Sequence, residues 1–415
     1  MRSPNLYPRR ARHEILEALR SARVLLLMGA RQVGKSTLAA GLVANEFPAA
    51  SVNLDDRIPR EAALADPEGF LEALGAPALI DEVQRGGPDL LLAIKAAVDR
   101  DQRPGRYLLT GSANLLTSRR TPDTLAGRLE TVTLWPLAQC EIEASGGNLV
   151  DALFDAAPPD VVAAPPGPGP VVDRIARGGY PAVVGLPPAR RERWYRSYTE
   201  AVANRDLTDL SDATRLSEVP GLLRLLAARA ATPLVYREVG RRLAMDSKTV
   251  KAYVKLLEMA FVVRVVPGWR PSLASREGAT PKVFVVDSGL LASLLGADRE
   301  RLAEDDRVSG RCLENFVAME VLRHAEWART PTNLYHYRVG DQEVDLILES
   351  WAGDVACVEV KSTVSLSRRD WRPMAQVRDR LGDRFVSGFV IHPGRETQPI
   401  GDRLWAVPIE GLWRP

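Results

Sequence analysis

Cysteine is scarce in this chain. The three present, Cys140, Cys312 and Cys357, are widely spaced and form no C-x-x-C pair. That excludes a disulfide framework and a thiolate zinc site, and it fits a reducing compartment, so a cytoplasmic location is expected. Long apolar runs are missing too: no stretch approaches the roughly 20 residues that cross a bilayer. The Arg-rich residues 1–20 lack the continuous apolar segment of a secretion signal. Neither export nor membrane insertion is expected. A dominant charge sign is also absent, since 55 basic and 53 acidic residues leave a net +2. Bulk attraction to a polyanion is thereby excluded, and any nucleic-acid contact has to come from a local patch. Lysine is rare: seven of the 55 basic residues are lysine and the other 48 are arginine.

What the chain does have is length and an α/β rhythm. At 415 residues it exceeds one ordinary core, and 46% apolar with 26% charged residues describes a normal globular protein. Residues 25–28, 51–54, 78–80 and 106–110 read as strands, with helices at 36–43, 66–74 and 89–99 between them. That predicts a parallel sheet covered by helices on both faces and closed by residues 132–134. Residues 158–170 hold six prolines and two glycines, a stiff linker or hairpin loop. Trp194, Tyr195, Tyr198 and Val202 then recur at near-helical spacing. From about residue 305 the pattern reads helix, strand, strand, helix, strand.

The first strand runs into Gly29-Ala30-Arg31-Gln32-Val33-Gly34-Lys35-Ser36-Thr37. A strand, a glycine-rich turn and Lys-Ser opening a helix form a cradle for a nucleoside triphosphate. The glycines let backbone N–H groups wrap the phosphates, Lys35 reaches the β/γ oxygens, and the Ser36 hydroxyl suits Mg²⁺. The helix that follows turns its positive end to the same anion. The apolar strand 78–80 ends in Asp81-Glu82, the Walker B arrangement, in which Asp81 would hold Mg²⁺ and Glu82 would polarise the attacking water.

Together with Leu79-Ile-Asp-Glu-Val-Gln84, Leu108-Leu-Thr-Gly-Ser112 and Leu125-Ala-Gly-Arg128, this loop resembles a group of prokaryotic AAA-type ATPases joined to a C-terminal domain similar to restriction endonucleases. Gly178-Gly-Tyr-Pro181 and Arg205-Asp-Leu207 resemble the connecting region of that group, and the likeness extends over about residues 5–410. The resemblance implies ATP and Mg²⁺ as cofactors. It implies a sensor residue for the catalytic water at Thr110 or Ser112, and at Arg128 an arginine finger reaching a neighbouring subunit in a homo-oligomer.

Residues 236–243 read as a helix, 244–246 as a tight turn, and 247–258 as a second helix capped by Asp246 or Ser247. Val250, Tyr253, Val254 and Leu257 form its inward stripe, and Lys248, Lys251 and Lys255 share the other side. Residues 234–258 carry six basic and three acidic groups, and 261–266 reads as the first strand of a wing. This winged-helix pattern suits phosphate contacts in a nucleic-acid groove, the alternative being protein packing behind a solvated lysine face.

Near the end, Glu343-Val-Asp345-Leu-Ile-Leu348 alternates so that Asp345 and Ile347 share one face and Val344, Leu346 and Leu348 the other. Cys357, Glu359 and Lys361 share a face of the next strand, with Val358 and Val360 turned to the core. Glu314 lies on a helix whose Ala318 and Val321 follow at apolar positions. Glu314…Asp345…Glu359-x-Lys361 resembles the PD-(D/E)xK nuclease signature, with Val344 where a proline is usual. That resemblance implies Mg²⁺ or Mn²⁺ held by Asp345, Glu359 and Glu314, with Lys361 beside the reacting phosphate.

The expected architecture is therefore a multidomain α/β chain. It comprises an AAA-type P-loop ATPase over residues 1–150, a Pro-rich linker and helical lid-like region over 151–230, a winged helix over 231–300, and a restriction-endonuclease-like α/β domain over 301–415. The expected activity is ATP hydrolysis coupled to binding and metal-dependent cleavage of nucleic acid, DNA before RNA. The alternative is an ATP-dependent DNA-binding regulator or scaffold whose nuclease fold is silent.

Overall fold

The computed structural model describes residues 6–111, 125–161, 168–202, 216–272, 275–276 and 278–414. Ser112, Arg205-Asp206-Leu207 and part of the Pro-rich stretch lie outside the described residues. Strands β1 (Val24–Met28), β2 (Ala50–Asn53), β3 (Ala78–Asp81), β4 (Tyr107–Thr110) and β5 (Leu129–Thr133) form one sheet in the order β2-β3-β4-β1-β5, every pairing parallel. The three inner strands are buried along their whole length, as a parallel sheet covered on both faces requires, and the edge strand β2 is half exposed. Leu27 pairs with Thr110 and Asn53 with Asp81, so the loops after β1, β3 and β4 open on one edge of the sheet. In open α/β sheets that carboxyl edge is where ligands bind.

A second sheet is small and antiparallel: β6 (Thr232–Pro233), β7 (Val263–Val266) and β8 (Lys282–Val285), in the order β6-β8-β7. It packs with the helices Val219–Ala227, Tyr236–Leu243 and Ser247–Met259. The strand begins at Val263 rather than at 261, because Phe261 takes a positive φ of 56° and sets its ring edge-on to Trp135, 5.5 Å away. The backbone after β7 does not fold straight back on itself. Trp269 N–H donates to the His336 carbonyl and His336 N–H to that of Pro267, which ties this segment to the C-terminal unit.

The C-terminal unit is a six-stranded sheet of β9 (Thr332–Val339), β10 (Gln342–Ser350), β11 (Val355–Val360), β12 (Phe385–His392), β13 (Gln398–Gly401) and β14 (Leu404–Pro408), in the order β13-β14-β12-β11-β10-β9. It exceeds the sequence expectation by β9, β13 and β14. The edge strands β9 and β13 carry exposed polar positions and, in β13, Pro399, so no apolar alternation announces them, while β14, between β13 and β12, is a short buried apolar run without alternation. The helix Asp306–Ala325 lies on this sheet and is buried on nearly every side over residues 312–324. The largest apolar cluster runs from Ala11 through the middle region to Trp413 without interruption. The helix Leu149–Phe154 packs on β12, and Ser387 Oγ donates to the Leu153 carbonyl at 2.6 Å.

Candidate functional site

The turn after β1 is shaped by backbone that needs glycine. Gly29 has φ 148°, and a Cβ there would sit 2.1 Å from the Leu134 carbonyl oxygen; Gly34 has φ 97°. No side chain caps the helix Lys35–Asn45 that Gly34 opens, so its first-turn N–H donors are left facing the loop. Lys35 is buried and folds back onto the loop, donating to the Gly29 and Ala30 carbonyls at 3.0 Å each. Ser36 Oγ donates to Asp81 Oδ1 at 3.0 Å. These adjacent oxygens are the hard donors Mg²⁺ takes, so the residues fit that ion.

Thr110 ends β4 fully buried, its hydroxyl donating to Asp81 and accepting from the Glu82 N–H at 3.1 Å. Of the two sensor candidates it is the one the described residues contain, and it ties both Walker acids together. Glu82 has a positive φ of 55°, a conformation costing roughly 1–2 kcal/mol in a non-glycine residue. Its carboxylate accepts from Gln84 Nε2 at 2.5 Å. Arg128 lies elsewhere. Its carbonyl accepts from Val24 N–H at the start of β1, so it stands at the opposite edge of the sheet, roughly 16 Å from the loop at 3.3 Å per residue. There its guanidinium pairs with Asp99, with Nη2 3.1 Å from Oδ2. It does not reach its own subunit's phosphate loop.

Gly178-Gly179-Tyr180-Pro181 abuts the same loop. A Cβ on Gly34 would lie 4.0 Å from Pro181 Cγ, and Leu137 N–H donates to the Gly179 carbonyl at 2.7 Å. Behind it, the buried Asp287 accepts from Tyr195 Oη at 2.8 Å and from Gly179 N–H at 2.6 Å.

On the helix Ser247–Met259, Val250, Tyr253, Val254 and Leu257 are buried, and Lys248, Lys251 and Lys255 are exposed with no ion pair among the described residues. Arg241 and Arg242 on the preceding helix are exposed as well. Asp246 caps the helix, accepting from the N–H groups of Lys248 and Thr249.

The distal acids converge. Val360 N–H donates to Asp345 Oδ2 at 2.9 Å, Asp345 N–H to Glu359 Oε2 at 3.3 Å, and Lys361 Nζ to Glu359 Oε1 at 2.7 Å. The alternation expected around Asp345 is broken, however. A register shift between Val344 and Ile347 puts Val344 in one apolar cluster with Ile347, away from Leu346 and Leu348. Cys357 is buried in that same cluster, so both faces of β11 are core and not only the face of Val358.

A residue that sequence reasoning missed sits at the centre of these acids. Lys282, the first residue of β8, is fully buried, and its Nζ lies 2.7 Å from Glu314 Oε1, 2.7 Å from Glu343 Oε1 and 3.5 Å from Asp345 Oδ1. Burial alone would lower its pKa, and Asp345, Glu314 and Glu343 outweigh that and raise it, so the ammonium stays charged. Glu359 is pushed up to about 8 by burial and then by Asp345, and burial likewise raises Glu314. The space between Glu314 and Asp345 is thus filled by an ammonium group. Among the described residues no three acidic, imidazole or thiol side chains are arranged to hold a metal ion. The distal residues do not fit a metal.

The parallel sheet and its phosphate loop define a P-loop ATPase, and residues 21–143 match the AAA domain family. Residues 170–301 and 309–412 match two further families, each described as a domain of unknown function (DUF8612 and DUF4143). The chain is 30% identical to "Uncharacterized protein Rv2008c" of Mycobacterium tuberculosis, over 97% of this chain and 84% of that protein, and it belongs to the same family. "Uncharacterized protein Mb2031c" of Mycobacterium bovis matches equally. Among solved structures, the chain is similar to a Walker-type ATPase of Pyrococcus abyssi (17% identity, TM-score 0.44, covering 70% of this chain and 96% of that one). It is also similar to the RuvB Holliday junction branch migration motor of Thermotoga maritima (15% identity, TM-score 0.30, covering 67% and 97%). Among the described residues no helix is long and apolar enough to cross a membrane.

Proposed function

We propose that this ATPase is a nucleic-acid-binding regulator whose C-terminal unit has a restriction-endonuclease-like fold and does not cut. Mg²⁺, held by Ser36 and Asp81 with the nucleotide, would neutralise charge developing on the phosphates. Lys35 leaves the Gly29 and Ala30 carbonyls for phosphate oxygens, and Glu82, oriented by Gln84, takes the proton of the attacking water. Thr110 keeps Asp81 and Glu82 in register. Arg128 would serve a neighbouring subunit in a homo-oligomer. The bond from Leu137 N–H to the Gly179 carbonyl offers a link through which the loop's occupancy would reach the middle region.

The lysine face carries the nucleic-acid reading. Lys248, Lys251 and Lys255 are exposed on the second of two consecutive helices packed with a three-stranded sheet, which supports reading this unit as a winged helix. Three of only seven lysines in the chain stand there. Lysines of this kind meet phosphates and position a duplex rather than read bases. DNA is the polymer proposed, with RNA as the comparison.

The test is fluorescence anisotropy of labelled duplex DNA, single-stranded DNA and RNA across a salt series, with and without ATP. Charge reversal at the three lysines is expected to weaken duplex binding and to lower the slope of log K against log salt by about one unit per lysine. An unchanged slope would refute the lysine face. Supercoiled plasmid incubated with Mg²⁺ or Mn²⁺ is expected to stay intact; nicking lost in Asp345→Asn would refute the non-cutting reading.

A further inference from the structure

The geometry points to Lys282 as the resident cation of the distal carboxylate cluster, an internal substitute for the divalent ion whose removal turns the cluster into a metal site. The inference deepens the non-cutting reading and rests on it for its biological meaning. Its chemistry stands on the contacts of one side chain.

A lysine ammonium has three N–H donors. The three carboxylate oxygens around this one come from two elements, Glu314 on the helix Asp306–Ala325, and Glu343 and Asp345 on β10. The ammonium donates hydrogen bonds to Glu314 and Asp345 and pairs with Glu343 as an ion 2.7 Å away. Such a gathering of acids below the surface is costly unless a cation sits among them, and the chain supplies that cation itself. A hard divalent ion would seek the same oxygens, so ammonium and metal compete for one position.

Lys282 is also held from both directions along its strand. Three residues on, Val285 exchanges two hydrogen bonds with Asn315, N–H to Oδ1 and Nδ2 to the carbonyl, each 2.8 Å. Asn315 is the helical neighbour of Glu314, so helix and strand are fixed where the lysine inserts. Before it, His336 Nε2 meets the Thr280 carbonyl at 2.9 Å, and Arg276 pairs with Glu349 across the C-terminal sheet. The ammonium is therefore no swinging surface group; displacing it means peeling β8 from the helix.

The test is a Mn²⁺ titration of the full nucleotide-free chain, followed by the electron paramagnetic resonance of free Mn²⁺. Wild type and Asp345→Asn are expected to bind the same number of ions, because no metal uses Asp345 while Lys282 is present. Lys282→Met is expected to gain one Mn²⁺ per chain at a half-saturation at least tenfold below any wild-type site, and Lys282→Met/Asp345→Asn to lose it again. A wild-type ion that disappears in Asp345→Asn would overturn the inference, and so would a folded Lys282→Met chain that gains none. The comparison of wild type with Asp345→Asn decides the matter even where Lys282→Met does not fold. No nucleic acid is present, so this result and the lysine-face result stand or fall apart.

Discussion

Single residues divide into those whose chemistry demands a fixed spacing and those whose partners are distant in sequence. The phosphate loop and the Asp81-Glu82 pair were legible because phosphate binding dictates residue type at set offsets from a strand end. Lys282 was not, since Glu314 and Asp345 stand 32 and 63 positions away along the chain. Its one signal was a lysine, rare here, opening the apolar strand Lys282–Val285. At Thr110 the structure adds a function testable by phosphate release. Lys35→Ala is expected to bring ATP turnover to background. Thr110→Val keeps shape and burial while freeing both acids, and is expected to lower turnover about tenfold to hundredfold with ATP binding retained. Wild-type turnover in Thr110→Val would remove Thr110 from the hydrolytic machinery.

Among the elements, the helix Asp306–Ala325 does the most joining. Its residues past 319 and the Glu326 that follows it address the tail of the ATPase sheet: Glu320 accepts from Gln139 N–H at 2.8 Å, His324 Nδ1 from Leu149 N–H at 2.9 Å, and Glu326 from Trp135 Nε1 at 2.9 Å. The sequence exposed this helix only in part. Glu314 read as an acid on an apolar face, but apolar spacing cannot say that polar residues are buried too when their partners lie far off. The strands flanking it were half legible for a related reason: the irregularity at Asp345 flips parity, and a period of two cannot announce its own interruption. His324 gives the helix a pH signature. Burial, then Arg323 and Arg10, hold its pKa down at about 3 from the usual 6.5. A depressed folded-state pKa stabilises fully above about 6.5, and that contribution is lost as pH falls toward 3. Melting temperature is therefore expected to fall more steeply between pH 6.5 and 4 in wild type than in His324→Asn, which keeps an acceptor for Leu149 and carries no titration. Parallel curves for the two would remove His324 from this seam.

At the scale of the molecule, packing runs across the segments read along the chain. One apolar cluster spans the ATPase tail, the middle region and the C-terminal sheet, so these parts share a core rather than meet at a wet interface. A chain truncated before Asp306 would expose Trp135, Leu149 and Leu153 and leave Gln139 and Trp135 without their acceptors. Such a chain is expected to bind a hydrophobic dye, lose its cooperative melt and hydrolyse little ATP. A well-folded, active truncation would show that the shared core is dispensable. The docking of Leu149–Phe154 on β12 also sets a timetable for biosynthesis. Leu153 leaves the ribosome 234 residues ahead of Ser387, its hydrogen-bond partner. At about 5–20 residues per second this is a wait of roughly 10–50 s. The helix Asp306–Ala325, which also packs on Leu149–Phe154, emerges partway through that interval; until β12 follows, the nucleotide-binding unit stays unfinished on the ribosome with its oily flank only partly shielded.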